Sequence, residues 1–309
     1  MSNGEISRLV ETSDKWIRER TGIRKRRIAS DGEPSSVLGL KAAKRALKQA
    51  GLHPSKLDLI VVGTASPDMI IPSTACLIQA GLKAGRAAAF DLSAACSGFI
   101  YSLAVADSMI SSGAYKNALV VGVDELSRYT DFTDRNTCIL FGDGAGAVVL
   151  ARSSGGRGIL SCHLFSDGSG GGLLRIPAGG SLMPASRETV EKRMHYIKME
   201  GSEIFKLAVR AMAGAAVAAL RANGKRVGDI DIFIPHQANI RIIQSTAKSL
   251  GMEMDRVFVN IDKYGNTSAA SVPLAMDEAA RSGRISIGDT VLLASFGAGL
   301  CWASALIKW

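Results

Sequence analysis

The chain has no apolar run of the ~18 residues that a membrane-crossing helix needs. Its opening, MSNGEISRLVETSDKW, is polar and has no signal-peptide core. The five cysteines, Cys76, Cys96, Cys138, Cys162 and Cys301, are odd in number, and no two stand at metal-ligand spacing. Free thiols in a reducing cytoplasm are the expectation, with no bound metal and no membrane. The formal charge of +9 is spread out, without a dense run of bases or a basic helix interleaved with aromatics. That pattern argues against nucleic acid and for an acidic protein partner or a phosphorylated cofactor. No GxxxxGK[ST] loop occurs. GDGAGA (142–147) runs into VVLAR, a strand, where a dinucleotide site needs a helix, so no Rossmann site is expected.

What is present is alternation. LDLIVVGTA (57–65), NALVVGVDEL (117–126), GAVVLAR (146–152) and DTVLLASFGAG (289–299) are apolar runs closed by turn residues, the mark of strands buried on both faces. Between them, SGFIYSLAVADSMISSGA (97–114) and SAASVPLAMDEAARSGR (268–284) carry helical spacing and glycine stops. This is an α/β pattern, in a chain of 309 residues that is long for one core.

The halves look like copies. LDLIVVGTAS begins at Leu57 and IDIFIPHQAN at Ile230, each followed by a helix closing on Ser-Gly. Cys96 stands as far before Gly113 as Asn266 stands before Gly283, so the two are expected at equivalent helix starts facing a pseudo-twofold axis. The division expected is 1–152, carrying the cysteine, and 153–309, carrying a histidine and the asparagine. Loop 166–186, rich in Gly and Ser, is expected at the surface.

Cys96 lies in DLSAACSGFIYSL, where a strand (87–92) gives way to a helix among small residues. The unpaired N–H groups of a helix start lower a thiol pKa, which suits a nucleophile; a lone cysteine is otherwise a small buried hydrophobe. Of four histidines, His236 ends a strand in IFIPHQANIRI, where an α/β sheet delivers side chains to a site. His53, His163 and His195 fit ordinary structural settings better. Asn266, in YGNTSAAS, reads as an active-site donor or as a helix cap.

AFDLSAACSGFIYSL, FIPHQANIRII, KYGNTSAASVPLA and FGDGAGAVVL, in this order, resemble the β-ketoacyl-acyl carrier protein synthase III family of the thiolase superfamily. The resemblance implies a five-layered αβαβα fold of two duplicated halves, a homodimer, and a Cys96–His236–Asn266 site. The implied reaction uses CoA thioesters as substrates and no cofactor: an acyl-CoA primes Cys96, and malonyl-acyl carrier protein is decarboxylated and condensed. By the same resemblance Ala298 supplies an oxyanion N–H beside that of Cys96, and Phe296 crowds the malonyl carboxylate. Trp16 and Arg135 sandwich the adenine of CoA, Arg20 meets its phosphate and Asn239 its pantetheine arm. Lys206, Arg241 and Lys248 form a docking patch for the acidic carrier, and Ile71 lines the neighbouring subunit's acyl pocket. Two other readings stand beside this one: a starter enzyme of secondary metabolism and a non-catalytic carrier-binding protein. Family members begin earlier, with a strand and a loop, so the first sheet is expected to be one strand short, at its edge or its centre.

Overall fold

The computed structural model describes residues 1–153 and 155–309. The first half runs α1 (Asn3–Ile6), α2 (Asp14–Thr21), α3 (Ser35–Ala50), β1 (Leu59–Gly63), α4 (Thr74–Leu82), β2 (Ala88–Leu92), α5 (Gly98–Ser111), β3 (Asn117–Glu125), α6 (Arg135–Cys138) and β4 (Asp143–Ala151). The second runs β5 (Gly158–Ser166), β6 (Leu174–Arg175), α7 (Arg187–Glu191), β7 (Lys198–Met199), α8 (Gly201–Ala222), β8 (Ile232–Pro235), α9 (Ile240–Leu250), α10 (Ile261–Tyr264), α11 (Ser271–Arg281), β9 (Thr290–Gly297) and β10 (Cys301–Lys308). The expected division at 152/153 falls between β4 and β5, a connection in which Ser154 lies outside the described residues.

Two four-stranded sheets, ordered β2-β1-β3-β4 and β5-β10-β9-β8, stack with helices outside and between them. Helices α3 and α4 cover the outer face of the first sheet, α5 and α11 lie between the sheets, and α8 and α9 cover the second. The strand sequences follow from this. Leu59 and Val61 of β1 join the core around α5, while Ile60 and Val62 join the core under α3 and α4, so the run must be apolar throughout. The run NALVVGVDEL obeys the same rule until Asp124 and Glu125 at the end of β3, acidic side chains 0% and 8% exposed. Among the described residues no helix is long and apolar enough to cross a membrane.

The pseudo-twofold is real but its register differs from the one counted back from Gly113 and Gly283. In β1, Leu59 faces Ala118; in β8, Ile232 faces Val291. That pairing carries Cys96 onto Ala269, not onto Asn266. The turns agree: Ala95 (φ 44°) and Ser268 (φ 49°) are left-handed residues opening matching 3-10 turns, Ala95–Ser97 and Ser268–Ala270. The count failed because α5 has 14 residues and α11 only 11. Beside β10 lies β5; among the described residues nothing fills the matching place beside β4. The strand place left open is thus at the sheet margin and not at its centre, and the parallel core β2-β1-β3 is complete.

Glycine marks where the halves touch. A Cβ on Gly122 of β3 would lie 2.3 Å from the Ala269 carbonyl oxygen, a backbone atom that cannot move aside cheaply. Gly122→Ala is expected to cost roughly 3 kcal/mol through overpacking, read as a lower urea midpoint with an unchanged m-value.

Candidate active site

Cys96 sits on its 3-10 turn between β2 and α5 and is 8% exposed. Small residues let the second half close over it: a Cβ on Gly297 would stand 2.6 Å from the Cys96 nitrogen. The pKa expectation is overturned. Burial pushes the thiol up to about 12, a side-chain hydrogen bond from Ser268 opposes this, and the Asp124 carboxylate adds to the rise. The start of a helix does not outweigh the loss of water. The resting site therefore holds a thiol. Iodoacetamide alkylation of Cys96 should rise about tenfold per pH unit from about pH 6 to 10 without a plateau; levelling near neutrality would contradict this.

His236 follows β8 and is 1% exposed. Burial lowers its pKa to about 3, so the imidazole is neutral at physiological pH. Its Nδ1 is buried without a partner, which leaves Nε2 to face the cavity. Asn266 is 6% exposed and locked by backbone on both sides: its N–H donates to the Leu140 carbonyl at 2.9 Å, and its carbonyl accepts from the Gly142 N–H at 2.9 Å. Its Oδ1 accepts from the Ser268 N–H at 2.9 Å, leaving Nδ2 as a free donor. The cap reading does not hold: Thr267 and Ala270 occupy the cap positions of the 3-10 turn and of α11, and the Asn266 side chain closes a turn two residues long ahead of them while its carboxamide lines the cavity. The other histidines are local: His53, His163 and His195 bond the hydroxyls of Ser55, Ser161 and Thr189.

Cys96, His236, Asn266 and Phe296 line one cavity of about 640 Å³, together with Trp16, Arg20, Asn239, Lys206 and Arg241 toward its mouth. Asn239 caps α9, its Oδ1 accepting from the Arg241 N–H at 2.8 Å, so its amide NH₂ is what it can offer a ligand. The Arg135 guanidinium lies 5.3 Å from the Trp16 ring centre and that of Arg20 5.5 Å. Arg241 rests on Phe205 at 5.7 Å, and Lys206 pairs with Glu203. Lys248 shares α9 with Arg241 but lies on a separate depression beside Gly251.

A second cavity of about 330 Å³ also opens at Cys96, walled by Leu126, Phe141, Leu174, Ile176 and Ile197 and touched by Ala298 and Cys301. Ala298 is not in the left-handed region, so its side chain imposes no backbone strain. The loop expected at the surface contributes Leu174 and Ile176 to this wall, because β6 pairs with β7 and folds the segment inward. Ile71 lines neither cavity and is 82% exposed. Among the described residues no three His, Cys, Asp or Glu side chains converge as metal ligands do.

Residues 90–168 match the family model 3-oxoacyl-[acyl-carrier-protein (ACP)] synthase III, and residues 220–309 match that of its C-terminal part. The β-ketoacyl-[acyl-carrier-protein] synthase III of Caldanaerobacter subterraneus is 54% identical, over 100% of this chain and 93% of that protein. The chain belongs to the β-ketoacyl-[acyl-carrier-protein] synthase III family. It is a condensing enzyme of the acyltransferase type. The family's protein from Symbiobacterium thermophilum is 53% identical, over 100% of this chain and 94% of that one. The crystal structure of 3-oxoacyl-[acyl-carrier-protein] synthase III from Aquifex aeolicus shares 46% identity with a TM-score of 0.92, covering 100% of this chain and 95% of that one. The thiolase-like five-layered expectation therefore holds. The priming β-ketosynthase of the R1128 polyketide pathway also superposes with a TM-score of 0.92, at 39% identity, covering 100% of this chain and 92% of that one.

Two residues of the site escaped sequence reading, Ser268 and Asp124. The one available signal was an aspartate inside an otherwise apolar buried run.

Proposed function

We propose that this enzyme condenses an acyl-CoA primer with malonyl-acyl carrier protein, releasing CoA, CO2 and a 3-ketoacyl carrier. The observation that carries the reading is the convergence of Cys96, His236 and Asn266 on one cavity whose mouth holds an aromatic ring and several cations.

The first half-reaction transfers the acyl group to Cys96. The sulfur attacks the thioester carbonyl, the C–S bond to CoA breaks, and the Cys96 proton ends on the CoA sulfur. A thiol with its pKa near 12 beside an imidazole near 3 is not a preformed ion pair. Proton loss therefore accompanies attack, with Nε2 of His236 as the relay. The Cys96 and Ala298 N–H groups receive the oxyanion. The acyl chain occupies the second cavity, which takes a short straight or branched group, and Ile71 of a homodimer partner completes it.

The second half-reaction breaks the bond between malonyl C2 and its carboxylate. The electron pair moves into the thioester carbonyl, and two donors meet the enolate oxygen: Nδ2 of Asn266, and His236 in its neutral Nε2–H tautomer, the ring having shifted its proton from the Nδ1–H form that relays the Cys96 proton in the first half-reaction. Each donor is worth on the order of 3 kcal/mol. Neutral His236 suits this role, because an acid near the enolate would protonate the carbanion instead. Phe296 presents an apolar wall, 5% exposed, to the departing neutral CO2. The carbanion then attacks acyl-Cys96 and expels the sulfur as a thiolate, which takes up one proton from solvent to return to the resting thiol.

At the mouth, Trp16 and Arg135, which contact each other at 5.3 Å, part to take the adenine of CoA between them, while Arg20 meets its phosphate and Asn239 its pantetheine arm. Lys206, Arg241 and Lys248 receive the acidic carrier. A polyketide starter enzyme is the second reading, supported by the superposition on the R1128 priming enzyme; the higher identity to the fatty-acid-type relatives weighs against it. Carboxyl-labelled malonyl carrier decides. Label released as CO2 only when acyl-CoA is also present, with a 3-ketoacyl carrier formed, supports the proposal. Acyl transfer without label release refutes it.

A further inference from the structure

The pseudo-twofold sets two turns against two strand ends. Its register carries Cys96 onto Ala269 and Gly297, which ends β9, onto Asp124, near the end of β3. On the active side the N–H of Cys96 faces Gly297, which has no side chain, and any Cβ there would fall 2.6 Å from that nitrogen. On the other side the matching N–H, that of Ala269, faces Asp124, and Oδ2 accepts it at 3.0 Å. One N–H is left open for a substrate oxyanion; its counterpart is filled by a carboxyl oxygen belonging to the protein.

We propose that Asp124 is the positioning residue for Asn266: from the place that mirrors the oxyanion site, its carboxylate fixes the turn that aims the Asn266 carboxamide. The geometry divides the work between two oxygens. Oδ1 grips the segment after β1, accepting from the Thr64 hydroxyl at 3.1 Å, the Ala65 N–H at 2.7 Å, the Ser66 N–H at 3.0 Å and the Ser66 hydroxyl at 2.8 Å. Oδ2 holds Ala269 of the second half. The residue before Ala269 is Ser268, whose N–H donates to Asn266 Oδ1 and so sets which way Nδ2 points. Gly122 presses on the carbonyl side of Ala269 while Asp124 holds its N–H side, so the turn is clamped from two directions. Five donors on one buried carboxylate exceed what stability of a strand end requires. They fit a requirement for precision at a group that acts by hydrogen bonding.

The inference rests on the proposed roles of Cys96 and Asn266, and Asp124→Asn tests it separately from them. An asparagine keeps one oxygen for the Thr64–Ser66 donors but turns an NH₂ toward the Ala269 N–H, two donors face to face. Acylation of Cys96 by acyl-CoA, measured per folded site, should hold or rise, because the Asp124 charge that adds to the rise in the thiol pKa is gone. Malonyl decarboxylation by the acylated enzyme should fall at least about tenfold. In an Asn266→Ala background the same change should have almost no further effect, since the residue acts through the missing carboxamide. Asp124→Ser, which keeps an acceptor for the first-half donors but cannot reach Ala269, should shift the ratio of the half-reactions the same way and serves if Asp124→Asn does not fold. An unchanged ratio, or a full extra loss on top of Asn266→Ala, overturns the proposal. Wild-type enzyme that takes no acyl group would instead remove the reading on which it rests.

Discussion

Cys96→Ser carries no acyl group after incubation with acyl-CoA, and condensation falls by at least about four orders of magnitude. The size of the loss follows from the site's electrostatics. Burial already holds the thiol near 12, and His236, held neutral by the same burial, offers no standing base. A hydroxyl starts several units higher still and gains nothing from the site to offset it. Ser is close to isosteric with Cys, and its hydroxyl can keep the side-chain hydrogen bond with Ser268, so the melting temperature should barely move. Intact-mass spectrometry beside a melting curve reads both. A persistent adduct in the variant would move the nucleophile elsewhere, and Cys301, which shares the second cavity, would be the first residue to examine.

Asn266→Ala lowers malonyl decarboxylation by about 10²- to 10³-fold while acylation of Cys96 stays within a few-fold. The carboxamide touches only the second half-reaction: its Nδ2 is the free donor, and its Oδ1 is taken by Ser268. His236→Ala should lower decarboxylation by a similar factor and also slow acylation, because the imidazole serves the enolate in one step and the proton in the other. With the His236 pKa pressed down to about 3, the decarboxylation rate should show no inflection near the usual histidine value of ~6.5. An inflection there would mean that the imidazolium form takes part. Separate assays of adduct formation and CO2 release resolve the two effects.

Much of this was legible in the sequence because the fold is written in burial. Strands covered on both faces cannot alternate: NALVVGVDEL became β3 nearly residue for residue, and the middle of LDLIVVGTA, Leu59–Gly63, became β1. GDGAGA, refused as a dinucleotide loop, lies almost wholly in β4, where its glycines let α11 approach: a Cβ on Gly146 would meet Pro273 at 2.7 Å. What the sequence hid was contact across the pseudo-twofold. Asp124 and Ala269 are far apart in the chain, and nothing local to either announces the other. The pKa of Cys96 was hidden for the same reason. A helix start is a local feature, whereas the burial that overrides it comes from β9 and the 268–270 turn. The loop 166–186 misled because its glycines suggest solvent, yet its middle pairs as β6 and walls a cavity.

One buried sulfur carries the acyl group between the two half-reactions. Peptide mass mapping of wild-type enzyme, quenched after acyl-CoA and again after added malonyl-acyl carrier protein, tests this most directly. The acyl group should be on Cys96 in the first sample and gone, with 3-ketoacyl carrier formed, in the second. An acyl group on another residue, or one on Cys96 that malonyl carrier fails to discharge, would contradict it.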